Sequence, residues 1–179
     1  GEPVVMCLAE TRAKAEDLAQ DVFVDYDELP DITTVEAACA DDSPKIHEHW
    51  DNNVSLGLEF GAPFEIEAPV KIRKRYRTAR QCMVPLEGNG LVAEWDRGKA
   101  FLTVHSSTQI PHLMRTGLSQ VLNLPINQLR VIAPDVGGGF GGKARLMPEE
   151  IVVCAIALET GLPARWVEDV GEHLQAACQ

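Results

Sequence analysis

Apolar and polar positions change period several times along the chain, and each change marks an expected element. Residues 3–10 (PVVMCLAE) form a β-like apolar run, and residues 22–26 (VFVDY) alternate as a second strand that Leu29-Pro30 closes. Between them Thr11 is placed to N-cap a helix from Arg12 to about Gln20, with Ala13, Leu18 and Ala19 apolar. This β-α-β order has no glycine fingerprint in its first turn, so it predicts a packing unit and not a nucleotide site. Residues 41–53 (DDSPKIHEHWDNN) are polar and turn-rich and predict a loop. From Val70, VKIRKRYRT alternates apolar and basic residues, as a strand with one solvated face would. LVAEWD (91–96) and AFLTVHSS (100–107) predict a hairpin around Arg97-Gly98. An amphipathic helix is expected over residues 111–122, with Pro111 in its first turn and Leu113, Leu118, Val121 and Leu122 on its buried side. The strand LRVIAP (129–134) enters a glycine-rich turn. Pro148-Glu149-Glu150 then opens an apolar helix that Gly161 ends, ARWVED (164–169) reads as a final strand, and EHLQAAC (172–178) as a last helical turn.

Composition narrows the function classes. With 179 residues, 45% of them hydrophobic, the chain can bury a core of one domain, or of a small domain and part of a second. A net charge of -11 argues against nucleic acid as a partner, since phosphate binding needs clustered Lys and Arg. The basic residues Lys71, Arg73, Lys74, Arg75, Arg77 and Arg80 are read as a solvated strand face or a surface for an acidic segment. No apolar run approaches the roughly 20 residues of a membrane span. The N-terminus lacks the basic region of a signal peptide, and its opening directly in a strand predicts a domain cut from a longer protein. Cys7, Cys39, Cys82, Cys154 and Cys178 are widely spaced without a CxxC pair, which predicts structural thiols and a reducing, cytoplasmic compartment. His47 and His49 flank Glu48, but no third ligand is apparent, so an exposed loop is the reading.

Chemistry concentrates in residues 137–143, GGGFGGK. Five glycines in seven residues leave amide N–H groups unobstructed and allow positive φ. Strand, glycine turn and helix together make a place where such groups converge on anionic oxygens. The spacing from Gly137 to Lys143 also fits a phosphate loop, but Ala144 stands where a magnesium-binding Ser or Thr is needed. Residues 145–148 further delay the helix that such a loop enters directly, so an NTPase is disfavoured.

PLEGNGLVAEWD (85–96), SSTQIPH (106–112) and RVIAPDVGGGFGGK (130–143), in that order, closely resemble the molybdenum-binding large subunit of the xanthine dehydrogenase, aldehyde oxidase and carbon monoxide dehydrogenase family. The resemblance covers the whole chain and implies an α+β fragment. Residues 1–50 would be the second half of an α/β hammerhead domain, residues 51–64 a linker, and residues 65–179 the start of a mixed-sheet molybdopterin-binding domain. It implies cofactor contacts from Gln109, Gly138, Gly139, Phe140 and Gly141. Gln109 would hydrogen-bond an oxo ligand without touching the metal, Phe140 would wall the metal site, and Gly138 and Gly142 would serve conformation.

The implied reaction is oxidative hydroxylation of an aldehyde, N-heterocycle or CO-like small molecule. The implied cofactor is molybdopterin with molybdenum, as such or as its cytosine dinucleotide. The implied partners are the remainder of the large subunit and the iron–sulfur and flavin (FAD) subunits that take up the electrons. The general-base Glu of the family lies far toward the C-terminus and has no counterpart here. Glu87, Glu149 and Glu150 are read instead as strand-end or helix N-terminal residues. Three departures stand out: Ala144 in place of the Glu of purine-oxidising relatives, Asn89 where many relatives carry Arg, and Val170-Gly171 where relatives commonly continue with Arg. The alternative to an enzyme fragment is a free-standing carrier or interaction module that keeps the fold without the chemistry.

Overall fold

The computed structural model describes residues 2–58, 60–61, 67–79 and 81–176. Arg80, Cys178 and part of the expected linker lie outside the described residues. The chain divides into two compact units, one of residues 8–76 and one of residues 1–7 with 77–179.

In the first unit, helix α1 (Arg12–Gln20) is capped as its sequence predicts, the Thr11 hydroxyl accepting from Lys14 N at 3.3 Å. A short helix α2 (Val35–Ala38), not expected from the sequence, is capped in the same way by Thr34. The polar loop that follows is closed by Asn53, whose Nδ2 donates to the carbonyls of Ala38 and Pro44 and whose Oδ1 accepts from Ile46 N at 2.8 Å. His47 and His49 gather with Trp50, and the described residues hold no group of three metal-ligating side chains.

The three strands expected over residues 3–10, 22–26 and 70–78 do not form. Alternation makes a segment able to pair, but a ladder needs a neighbour to take its N–H and C=O groups. No described segment pairs with these three.

The second unit carries a four-stranded mixed sheet, ordered β3-β2-β1-β4. Strands β1 (Gly90–Asp96) and β2 (Phe101–Ser106) form the expected hairpin, its turn held by Asp96 Oδ1 accepting from Gly98 N and Lys99 N. Helix α3 (Pro111–Val121) crosses over to β3 (Leu129–Ile132), which lies parallel to β2. Helix α4 (Pro148–Thr160) leads to β4 (Ala164–Val167), antiparallel to β1, and the short helix α5 (Val170–Ala176) follows. Register puts Leu91, Ala93, Leu102, Val104, Leu129 and Ala164 on one face, where they bury against Met114 and Leu118 of α3 and Val153, Cys154 and Ala157 of α4. Each fully buried aliphatic side chain there contributes about 1.5–3 kcal/mol.

The α3 expectation needs correction. Met114 and Leu118 point inward, while Leu113 and Val121 are 67% and 58% exposed. Residues four apart share a helix face, so the sheet selects the 114/118/122 row over the neighbouring one. Helix α4 ends as expected at Gly161, with φ 69°. Arg97 of the hairpin donates to the Thr160 carbonyl at 3.1 Å there, placing a cation at the negative end of the helix.

Candidate functional site at the glycine turn

β3 ends at Ile132 and α4 begins at Pro148, and the glycine turn spans the interval in front of the end of β2. Positive φ occurs at Gly138 (96°), Phe140 (50°) and Gly141 (89°). A bulky residue in the left-handed region is strained, and Phe140 is also 69% exposed, so core packing does not explain its position. The other glycines answer to space. A Cβ on Gly137 would lie 2.7 Å from Glu87 Cβ, one on Gly139 would run into the Gln109 side chain, and one on Gly142 would sit 3.3 Å from the Gly139 carbonyl.

Three residues following β2, Ser107, Thr108 and Gln109, hold the turn. Gln109 N and Thr108 Oγ1 donate to the Lys143 carbonyl at 3.0 and 3.4 Å. Gln109 Oε1 accepts from Gly141 N at 3.0 Å. Because that N–H requires an oxygen, the Gln109 amide NH2 is turned away from the turn, and among the described residues no acceptor takes its protons. The N–H groups of Gly138, Gly139 and Phe140 likewise meet no acceptor among the described residues. The Gln109 NH2 and three backbone N–H groups of the neighbouring turn thus stand unmatched among the described residues, donors suited to an anionic group.

Beneath the turn the cation Lys143 is buried, with its Nζ donating to Ser107 Oγ at 2.7 Å and 3.5 Å from Glu87 Oε2. Glu87 also accepts from Gly137 N. Burial opposes ionisation of Glu87, but the Gly137 N–H, Ser107 and Lys143 outweigh it and hold the carboxyl below the usual glutamate range. A depressed folded pKa means that this contribution is complete above the unfolded pKa and is lost as pH falls through the folded one. The Gly137 amide resonance is therefore expected to titrate with a midpoint below that of an ordinary glutamate; a midpoint at or above it would refute the latch.

Glu150 opens α4 by accepting from Met147 N at 2.9 Å and from the Ser106 hydroxyl at 2.8 Å. Burial raises its pKa above the ordinary value in spite of those two bonds. Its place matches the helix N-terminal role expected of it. Asn89 and Glu168 form a second buried cluster: Glu168 Oε2 accepts from Asn89 N and Nδ2 at 2.9 and 2.7 Å and lies 2.9 Å from His173 Nδ1.

The family described as "Molybdopterin cofactor-binding domain" matches residues 46–179. The chain belongs to that family. It is 30% identical to the carbon monoxide dehydrogenase large chain of Hydrogenophaga pseudoflava, covering 97% of this chain and 24% of that one. It is 32% identical to the nicotine 6-hydroxylase large subunit of Paenarthrobacter nicotinovorans, covering 98% and 22%. Among solved structures, quinoline 2-oxidoreductase from Pseudomonas putida 86 superposes with a TM-score of 0.78 at 31% identity, covering 92% of this chain and 21% of that one. The chain thus spans less than a quarter of the length of these relatives.

Within this molybdopterin cofactor-binding domain, the five residues singled out from the sequence are contiguous in space: Gln109 bonds to Gly141, and its side chain abuts Gly139. The supporting roles of Glu87, Ser107 and Lys143 were not legible in the sequence. Lys143 stood out only through a phosphate-loop spacing, and a charged residue directly after a glycine run was the one available signal. The departure Asn89 is a buried partner of Glu168.

Proposed function

We propose that this chain supplies one wall of the molybdopterin site in a molybdenum hydroxylase that oxidises an aldehyde, an N-heterocycle or a CO-like small molecule. The observation that carries the reading is the strained glycine turn with Gln109 locked across it and amide donors left unmatched among the described residues. Gly139 and Gly141 bring backbone close, Gly138 supplies the left-handed step that shapes the loop, Phe140 screens water from the site, and the Gln109 NH2 donates to an anionic oxygen. These residues fit a molybdopterin-type group: they provide donors and no competing negative charge, since the Glu87 carboxylate is taken up by Gly137 and Lys143. When bound, such a cofactor supplies the metal centre for oxidative hydroxylation. It would be molybdopterin as such or its cytosine dinucleotide.

The carboxylates around the turn support a general base outside this chain. Glu87, Glu150 and Glu168 each hold structural hydrogen bonds to the surrounding chain, which supports that reading. Names such as "large chain" and "large subunit" among the relatives support further polypeptide and partner subunits, here read as iron–sulfur and FAD-carrying. Ala144 disfavours a purine. The division into a hammerhead half (1–50), linker (51–64) and molybdopterin-domain start (65–179) is part of the same reading. So is a cytoplasmic location: Cys7, Cys39, Cys82 and Cys154 are free thiols, and among the described residues no helix is long and apolar enough to cross a membrane.

The test is cofactor retention. Carried within a complete large subunit and assembled with its partners, the chain is expected to hold molybdenum and pterin in equal amounts through gel filtration; the isolated 179 residues are expected to hold neither. A complete subunit devoid of pterin, or an isolated chain saturated with it, sinks the proposal.

A further inference from the structure

The glycine turn rests on a strap, residues 83–89, whose alternate members meet it in order. Met83 Sδ lies 3.7 Å from the place of a Cβ on Gly141, and Met83 Cβ 3.9 Å from that of Gly142. Pro85 Cβ lies 3.3 Å from that of Gly138, and Glu87 receives the N–H of Gly137. Both ends of this strap are fastened by residues 168–173. At one end the Asn89 carbonyl accepts from Glu168 N at 2.9 Å, Asn89 N and Nδ2 both donate to the Glu168 carboxylate, and a Cβ on Gly88 would meet the Glu168 carbonyl at 2.9 Å. At the other end His173 Nε2 lies 2.6 Å from the Met83 carbonyl.

The two fastenings are joined, because His173 Nδ1 lies 2.9 Å from the same Glu168 oxygen that Asn89 uses. His173 as a whole is buried, at 3% exposure. A carbonyl only accepts, and so does a carboxylate, so both ring nitrogens must carry hydrogen. We propose that residues 168–173 are a clamp that positions the glycine turn through the 83–89 strap, with His173 held as an imidazolium bridging the Glu168 carboxylate and the Met83 carbonyl. The charges facing the ring are the Glu168 carboxylate, which favours the imidazolium, and the Lys143 ammonium, which opposes it. Burial also opposes the charge, and the bonds to Glu168 and Met83 outweigh both, raising the His173 pKa above its ordinary value. The consequence for a cofactor rests on the function proposed above; the clamp itself does not.

His173 is on this account a positioning residue. Long-range proton–nitrogen spectra of the 179-residue chain at neutral pH are expected to show both His173 ring nitrogens protonated, and a neutral tautomer overturns the proposal. In His173→Gln, which cannot span both acceptors with the same geometry, amide exchange at Gly137, Gly141 and Gly142 is expected to quicken by about tenfold, as for a lost charge-assisted bond. Leu102 and Val104 in the sheet should keep their rates. Unchanged exchange at the glycines, or equal acceleration in the sheet, overturns the clamp. Should the variant fail to fold, the ring spectrum of the unaltered chain decides. Neither measurement uses cofactor, so their outcome is separate from whether the turn binds one.

Discussion

Replacing Glu168 by alanine is expected to remove about 3–5 kcal/mol of stability from the second unit, the range for stripping one partner from a buried ion pair. The Glu168 and His173 side chains are 2% and 4% exposed, so solvent screens little of their interaction. The deletion strands three donors, Asn89 N, Asn89 Nδ2 and His173 Nδ1, all on buried residues. It also has a pH signature. The folded pKa of His173 is raised, so its contribution is complete below the unfolded pKa and declines as pH rises through the folded one. Stability of the parent chain should therefore fall across that window, and that of Glu168→Ala should not. Urea unfolding at a series of pH values measures both. A loss below about 1 kcal/mol, the size of an ordinary neutral hydrogen bond, would show that the cluster is not a buried ion pair.

The second large effect is local. In Gly139→Ala the new methyl would lie 2.5 Å from Gln109 Cδ and 2.8 Å from its Cγ, which no relaxation of a few tenths of an ångström absorbs. Gln109 must leave, and Gly141 N then loses its acceptor. Overpacking of this kind costs about 1–3 kcal/mol. The greater consequence is for function, because the side chain displaced is the one assigned to the anionic ligand. A complete subunit carrying Gly139→Ala should lose most of its molybdenum and pterin. Gly57→Ala, where nothing lies within 4 Å, should lose none. Equal cofactor content in the two variants would remove Gln109 and Gly139 from the site.

These effects divide along the line between local and distant information. The Thr11 cap, the Arg97-Gly98 hairpin, the Pro148 start and the Gly161 stop of α4 were legible because each depends on neighbours within a few residues. The three strands that failed to form show the limit of the same reasoning, since alternation describes a capacity that only a partner strand realises. In α3 the pattern correctly called for a helix yet named Leu113 and Val121 as buried; the sheet chose Met114 and Leu118.

The amino-acid order was enough to locate the glycine turn, to disfavour a magnesium-dependent phosphate loop at Ala144, and to bring Gln109 and residues 138–141 into one candidate site through three ordered blocks. The first two rest on residue chemistry at short spacing, the last on the family resemblance those blocks carry. Tertiary structure decided how the site is held: Lys143 as a buried cation against Ser107 and Glu87, and the strap of residues 83–89 fastened by Glu168 and His173 across separations of 79 and 90 residues. No periodicity reports a contact over such distances, because which buried donor meets which acceptor is settled only when the sheet and its helices close around them.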